Sequence, residues 1–207
     1  MPARLRPTAP TAAEAILVGD PGRALMLAQE LLQQPKMSNH ARGLWGYTGL
    51  TYKERELTIQ ATGMGGPSAT VVLYDLAELG VRRAVRIGTC VALRDFRPGE
   101  LMVVDGARRP DGQLVHPDRR LTDALSGRRG SVASLEALPR YLPDLQAEGD
   151  VADMQTAALL ATAARLGIAA AALLIVVEAE GGAVLADDEL EATAKRAGLA
   201  AETVLSP

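Results

Sequence analysis

The sequence predicts an α/β fold, a single domain over residues 1–207 with a mixed central β-sheet flanked by helices on both faces. Three observations predict it. Strand-like apolar runs alternate with stretches of helical periodicity along the chain. The run 170–177 is continuously apolar, the pattern of a strand buried on both faces. Two strand-like runs end in glycine turns, at 19–22 and 63–66, that lead straight into helices.

In chain order, 15–19 (AILVG) reads as a strand entering the turn Gly19-Asp20-Pro21-Gly22. A helix is expected over 23–33, where Ala24, Leu25, Leu27, Ala28, Leu31 and Leu32 recur at helical spacing, with Pro35 ending it. Residues 47–52 and 56–61 read as a strand pair, since Leu57, Ile59 and Ala61 alternate with polar residues. Pro67 opens a helix through 79, where a missing N–H costs nothing, and Gly80 closes it. Strands follow at 84–87 and 101–104. The arginine- and glycine-rich stretch 108–130 reads as surface. An alanine-rich helix is expected over 153–166, capped by Gly167, then the strand 170–177 and a last helix over 187–205, broken near Gly198. No internal repeat or linker interrupts the chain.

Composition narrows the function classes. At 207 residues, 48% apolar and 23% charged, the chain can bury a core and is not of disordered composition. A net charge of −3 gives no general attraction to nucleic acid or anionic membrane. Cys90 is alone, so an internal disulfide is excluded. The arginines near the start precede no apolar stretch, which argues against a signal peptide, and the longest apolar run, 168–177, is about half a bilayer span. A cytoplasmic protein binding neither nucleic acid nor membrane is expected. Aromatic residues are only 3%, with Trp45 and Phe96 the sole Trp and Phe, so few rings can stack on a base.

Three segments carry chemistry. In Gly19-Asp20-Pro21-Gly22-Arg23, a strand turns into a helix whose first N–H groups are unpaired, and Arg23 adds a cation where the helix dipole disfavours one. Either an anion sits there, or Arg23 is a solvated turn residue. Arg86 lies inside the strand-like Ala84-Val85-Arg86-Ile87-Gly88, where a cation needs an anion: a ligand beside the small Ala84 and Gly88, or a buried Asp or Glu. Thr89 offers a hydroxyl just past that strand, where α/β sheets bind ligands. The turn Thr62-Gly63-Met64-Gly65-Gly66-Pro67-Ser68 permits close backbone approach but is no dinucleotide fingerprint, because Ser68 stands in place of the third glycine and no acid ends the next strand.

The runs GDPGRA, ATGMGGPSATVVLYDLAELGVRRAVRIGTC and DMQTAAL, with RGLWGYTGLTYK at 42–53, resemble in order and spacing the nucleoside phosphorylase family, of the hexameric purine nucleoside and uridine phosphorylase type. The resemblance is close over about 14–107 and looser over 130–207. It implies a phosphorylase-like fold and phosphorolysis, in which phosphate attacks the anomeric carbon of a nucleoside and releases base and ribose 1-phosphate. It also implies that Gly19, Arg23, Arg86 and Thr89 bind phosphate, Arg86 with a catalytic role, and that Arg42 reaches a neighbouring subunit's phosphate in a homo-oligomer of dimers, a hexamer. Met64, Cys90, Val91, Met154 and Gln155 would line ribose and base. No cofactor or metal is implied beyond phosphate as co-substrate.

The sequence departs from the family around the base and ribose. Gln155 stands where a glutamate holds the ribose hydroxyls, and an amide offers no negative charge to an oxocarbenium-like transition state. Val91 replaces a glycine. The Ser-Asp pair that serves base protonation gives way to Val177-Glu178-Ala179-Glu180, in which Glu178 or Glu180 either substitutes as the catalytic acid or is a surface carboxylate. Leu138-Pro139 replaces a Phe-Tyr pair, and the N-terminal histidine lent by a neighbour is missing, His40 and His116 lying in polar, exposed stretches. The stretch 108–130 is shortened. A phosphorylase with altered base specificity or low activity is expected, or a non-catalytic relative binding a nucleoside, sugar phosphate or phosphate. A water-using nucleosidase would need no arginine clamp.

Overall fold

A computed structural model describes residues 4–141, 147–179 and 181–206. The chain opens with β1 (Glu14–Val18) and α1 (Pro21–Leu31), then β2 (Lys36–Asn39), β3 (Gly46–Leu50) and β4 (Glu56–Ala61). Next come α2 (Gly65–Glu78), β5 (Arg83–Ala92), β6 (Leu101–Arg108), β7 (Leu114–Val115), α3 (Arg119–Ala124) and β8 (Arg128–Ser134). β9 (Val151–Asp153), α4 (Thr156–Leu166), β10 (Ala169–Glu178) and α5 (Asp187–Leu205) complete it.

The strands form one mixed sheet in the order β10-β6-β8-β9-β5-β1-β4-β3-β2, with β7 on β6. β10 also pairs with β5, so the first five strands close on themselves while β1 to β4 extend the sheet outward. β4, β1, β5 and β10 run parallel, and their C-terminal ends share one rim. Helices cover both faces. α2 and α4 bury Val72, Leu73, Leu76, Leu159 and Leu160 on one. α1, α3 and α5 bury Leu27, Leu31, Leu121, Ala197 and Leu205 on the other. β10 lies between these layers: Ala170, Ala172, Leu174 and Val176 face the first core, Ala171, Leu173 and Ile175 the second. That is why its run carries no polar alternation.

Several elements differ from the sequence expectation. α1 ends at Leu31, two residues early, because Leu32 turns extended and bridges to Thr51. β2 pairs antiparallel with β3 but is a polar edge strand, KMSN, with no apolar period to reveal it. β5 runs on through Ala92. The stretch 108–130 is not plain surface: it holds β7 and α3, with Asp118 capping α3 at Leu121 N (2.9 Å) and Leu121 and Leu125 buried. The helix expected from 153 begins at Thr156, because residues 151–153 are drawn into the sheet as β9. α5 passes unbroken through Gly198, where a Cβ would lie 2.6 Å from Leu27 Cδ2; this glycine lets α5 pack on α1. His40 and His116 are exposed, as expected. Among the described residues, no helix is long and apolar enough to cross a membrane.

Candidate active site

Along one edge of β5 the neighbour changes. β1 pairs up to Ile87, and β9 takes over at Val91. The two strands part across residues 88–90, and such a divergence is where α/β sheets form ligand crevices. Arg86 sits at its base, paired in register with Leu17 on one side and Ala172 on the other.

Arg86 is buried, 4% exposed, and reaches from β5 to the start of α4. Its Nε donates to Thr156 Oγ1 (3.0 Å), Nη1 to Gln155 Oε1 (2.6 Å) and Nη2 to Asp153 Oδ2 (3.0 Å). The buried acid that sequence left open as an alternative therefore exists, and it is Asp153. A guanidinium has five N–H donors, so one remains on each terminal nitrogen. The space beside Gly88 is taken by the guanidinium itself: a Cβ there would lie 2.6 Å from Arg86 Nη2 and 2.8 Å from Leu174 Cδ2.

Asp153 is in turn held on several sides. Ser134 Oγ donates to its Oδ1 (2.5 Å), and Thr156 N (3.0 Å) and Thr156 Oγ1 (2.6 Å) donate to its Oδ2. Ser134 Oγ also accepts from Ala157 N (2.8 Å), so one buried cluster both caps α4 and fixes the carboxylate facing Arg86. Gln155 completes the set. Its Oε1 also accepts from Thr62 Oγ1 (2.8 Å), and its Nε2 donates to Gly63 O (3.0 Å) and Gly65 O (3.1 Å). Both amide protons are taken by backbone carbonyls and the amide oxygen accepts from Arg86 and shares the Thr62 proton, stitching the glycine turn after β4 to Arg86.

The turn after β1 lies against the same place. Thr62 N donates to Val18 O (2.7 Å), the single proton of Thr62 Oγ1 is shared between Val18 O (2.9 Å) and Gln155 Oε1 (2.8 Å), and a Cβ on Gly19 would stand 3.4 Å from Gly63 O. Asp20 caps α1 by accepting from Arg23 N (2.7 Å). Arg23 is half-buried. Burial pushes its guanidinium below the usual range, the Asp20 carboxylate pulls it back, and the charge of Arg86 pushes it down again. Arg23 and Arg86 thus lie within range of each other's charge, and the buried Asp153 carboxylate pairs with Arg86.

The remaining sequence candidates are dispersed. Thr89 is half-buried on β5, and Met154 half-buried between Asp153 and Gln155. Met64, the residue before α2, is 82% exposed. Arg42 is exposed in the short turn Ala41–Gly43 at φ 60°, a left-handed conformation that costs a non-glycine residue energy and concentrates at functional positions. Cys90 is buried in the core, its Sγ 3.6 Å from Ile175 O; burial pushes the thiol up, Asp153 adding to the effect and Arg86 opposing it. Val91 and Glu178 come together with Leu138, Pro139 and Arg140 around a cavity of about 190 Å³, so residues chosen from separate segments meet at one place. Glu178 accepts from Arg140. Glu180 lies outside the described residues.

Sequence reasoning missed Asp153, Thr156, Ser134, Thr62 and Arg140. An acid just before the alanine-rich helix, in a chain whose central strand carries an arginine, was the available signal for Asp153. Arg140 had none.

Comparison with known proteins places the chain in a family. The profile of the Phosphorylase superfamily matches residues 14–206. The DeoD-type purine nucleoside phosphorylase of Oceanobacillus iheyensis is 39% identical over 94 residues, covering 44% of this chain and only 40% of that protein. The corresponding protein of Clostridium perfringens is 30% identical over 191 residues, covering 79% of this chain and 81% of its own. The crystal structure of purine nucleoside phosphorylase from Toxoplasma gondii in complex with immucillin-H superposes with a TM-score of 0.78 over 94% of this chain and 90% of that one; at 20% identity it speaks for the fold. With a profile running nearly end to end and a relative aligned over most of both lengths, the chain belongs to the Phosphorylase superfamily.

Proposed function

We propose that this protein is a nucleoside phosphorylase, a pentosyltransferase. In this reading inorganic phosphate attacks the anomeric carbon of a purine or pyrimidine nucleoside, the glycosidic C–N electron pair leaves with the base, and the base takes up a proton. The products are free base and ribose 1-phosphate. What carries the reading is the buried Arg86 at the parting of β1 and β9, within range of the charge of Arg23 and bonded through Gln155 to the glycine turn after β4. Two guanidiniums and the glycine turn at the start of α1 suit a phosphate dianion, Arg86 having two N–H groups beyond its three bonds to protein, and fixing the nucleophile removes much of its entropic barrier. Gly19 and Thr89 complete the phosphate contacts in this reading, and Met64 and Met154 flank the ribose. Glu178, while paired with Arg140, offers an acceptor; proton delivery to the base falls to it only when that pair opens.

Arg42 belongs to the same proposal as a residue lent to a neighbouring subunit, in a homo-oligomer of dimers, a hexamer. Sedimentation at micromolar concentration is expected to show the assembly, and a stable monomer would overturn it. The same proposal places the protein in the cytoplasm, with which the free, buried Cys90 is compatible.

One observation favours a second reading, a relative that binds nucleoside or phosphate without turnover. Gln155, which the resemblance assigns to the ribose, has both amide protons donated to backbone carbonyls and its oxygen accepting from Arg86. Base release from a panel of purine and pyrimidine nucleosides, with and without phosphate, separates the two. Phosphate-dependent release supports the phosphorylase, and phosphate binding without release of any base supports the second reading.

A further inference from the structure

We infer that Asp153, together with Thr156, is the positioning device that aims Arg86 at phosphate, an inference that rests on the phosphate site proposed above. Arg86 is a long side chain whose free donors are useful only if the guanidinium plane is fixed. Asp153 Oδ2 holds Nη2 at 3.0 Å and Thr156 Oγ1 holds Nε at 3.0 Å, so adjoining edges of the plane are anchored on the start of α4. The anchor is itself rigid. Asp153 and Thr156 are 1% and 0% exposed, Ser134 donates to the other carboxylate oxygen, and Thr156 bonds the carboxylate through both N and Oγ1. Gly88 supplies the floor, since any side chain there would collide with the guanidinium. Neither Asp153 nor Thr156 needs to touch phosphate for this; both act through Arg86.

The charge of Asp153 makes the inference sharp. A carboxylate behind the site repels an anion, so neutralising it should by electrostatics alone tighten phosphate binding. Loss of aim predicts the opposite sign. Calorimetric titration of inorganic phosphate into wild type, Asp153→Asn and Thr156→Val, with KM for phosphate and for nucleoside measured alongside, decides between them. We expect phosphate affinity to fall by about tenfold or more in Asp153→Asn, the equivalent of one hydrogen bond to a charged group. Thr156→Val, which changes neither charge nor shape, is expected to lose several-fold. KM for phosphate should rise in both while KM for nucleoside holds, a split that general loosening of the fold would not give. Unchanged or tighter phosphate binding in a folded Asp153→Asn overturns the inference; should that variant not fold, wild-type phosphate affinity in Thr156→Val overturns it alone. Wild-type protein that binds no phosphate overturns the underlying phosphate site instead.

Discussion

Replacing Gln155 by glutamate changes one NH₂ into an oxygen at constant shape, and its consequences can be worked through contact by contact. In Gln155→Glu the new carboxylate would keep the acceptor contacts with Thr62 Oγ1 (2.8 Å) and Arg86 Nη1 (2.6 Å). It would lose the donated bonds to Gly63 O (3.0 Å) and Gly65 O (3.1 Å) and set a carboxylate oxygen against both carbonyls. Each lost bond is worth about 0.5–1.5 kcal/mol, and an unpaired buried group costs about 1–3 kcal/mol. The compensating attraction to Arg86 is blunted, because Asp153 already neutralises that guanidinium. A second carboxylate leaves a net buried negative charge. The balance is a loss of about 2–4 kcal/mol, which for a chain of this size lowers the melting temperature by roughly 4–16 °C. Scanning calorimetry of Gln155→Glu beside wild type measures it directly. Turnover bears on the same point, since a carboxylate freed to face the ribose could raise the rate by about 10²–10³-fold. We expect no such gain while the side chain is held by the glycine turn. A variant melting at or above wild type, or gaining turnover at undiminished stability, would refute the reasoning.

Gly88→Ala is expected to destabilise by about 1–3 kcal/mol and to weaken phosphate binding, because its Cβ would lie 2.6 Å from Arg86 Nη2; thermal melting and phosphate calorimetry check both effects. Gly198→Ala gains up to about 1 kcal/mol of helix propensity but drives a methyl to 2.6 Å from Leu27 Cδ2, so a net loss is expected in urea denaturation. Asp150 gives a pH dependence. Ser131 N and Oγ, each at 2.8 Å, hold its carboxylate below the usual range, helped by Arg94 and Arg128. Its stabilisation is therefore present above about pH 4, the unfolded value, and is lost as pH falls through the depressed folded one. The stability gap between wild type and Asp150→Asn should shrink from pH 7 toward pH 3 in denaturant titrations.

What the sequence revealed depended on whether an element announced itself locally. β10 is apolar at every position because both its faces are covered, and Gly167 at φ 70° ends α4 as a left-handed cap. α3 is six residues long and starts with two arginines; its place in the core rests on Leu121, with Leu125 just beyond, too few apolar positions to make a period. Alanine-rich periodicity extended α4 upstream over residues whose real role is to pair with β8 and to cap the helix. The site divides in the same way. Arg86 was legible because a cation in an apolar strand demands an anion. Its partner was harder to single out: the acid at the start of the alanine-rich helix was a signal, but Asp153 lies 67 residues away and only the sheet brings the two together.

The amide at position 155 fits the charges around it. Within the buried cluster Arg86 and Asp153 cancel, so the net positive charge nearby comes from Arg23. A carboxylate at 155 would place two acids on Arg86 and turn the cluster net negative, opposing the phosphate proposed to bind at the two arginines. A neutral amide keeps Arg86 oriented from a third side and closes the glycine turn over it without that penalty. Anion affinity and transition-state charge stabilisation therefore pull position 155 in opposite directions, and Gln155 favours the first. A phosphorylase so arranged is expected to hold phosphate well and cleave slowly, and the ratio of phosphate affinity to turnover, compared between wild type and Gln155→Glu, is where that compromise should be read.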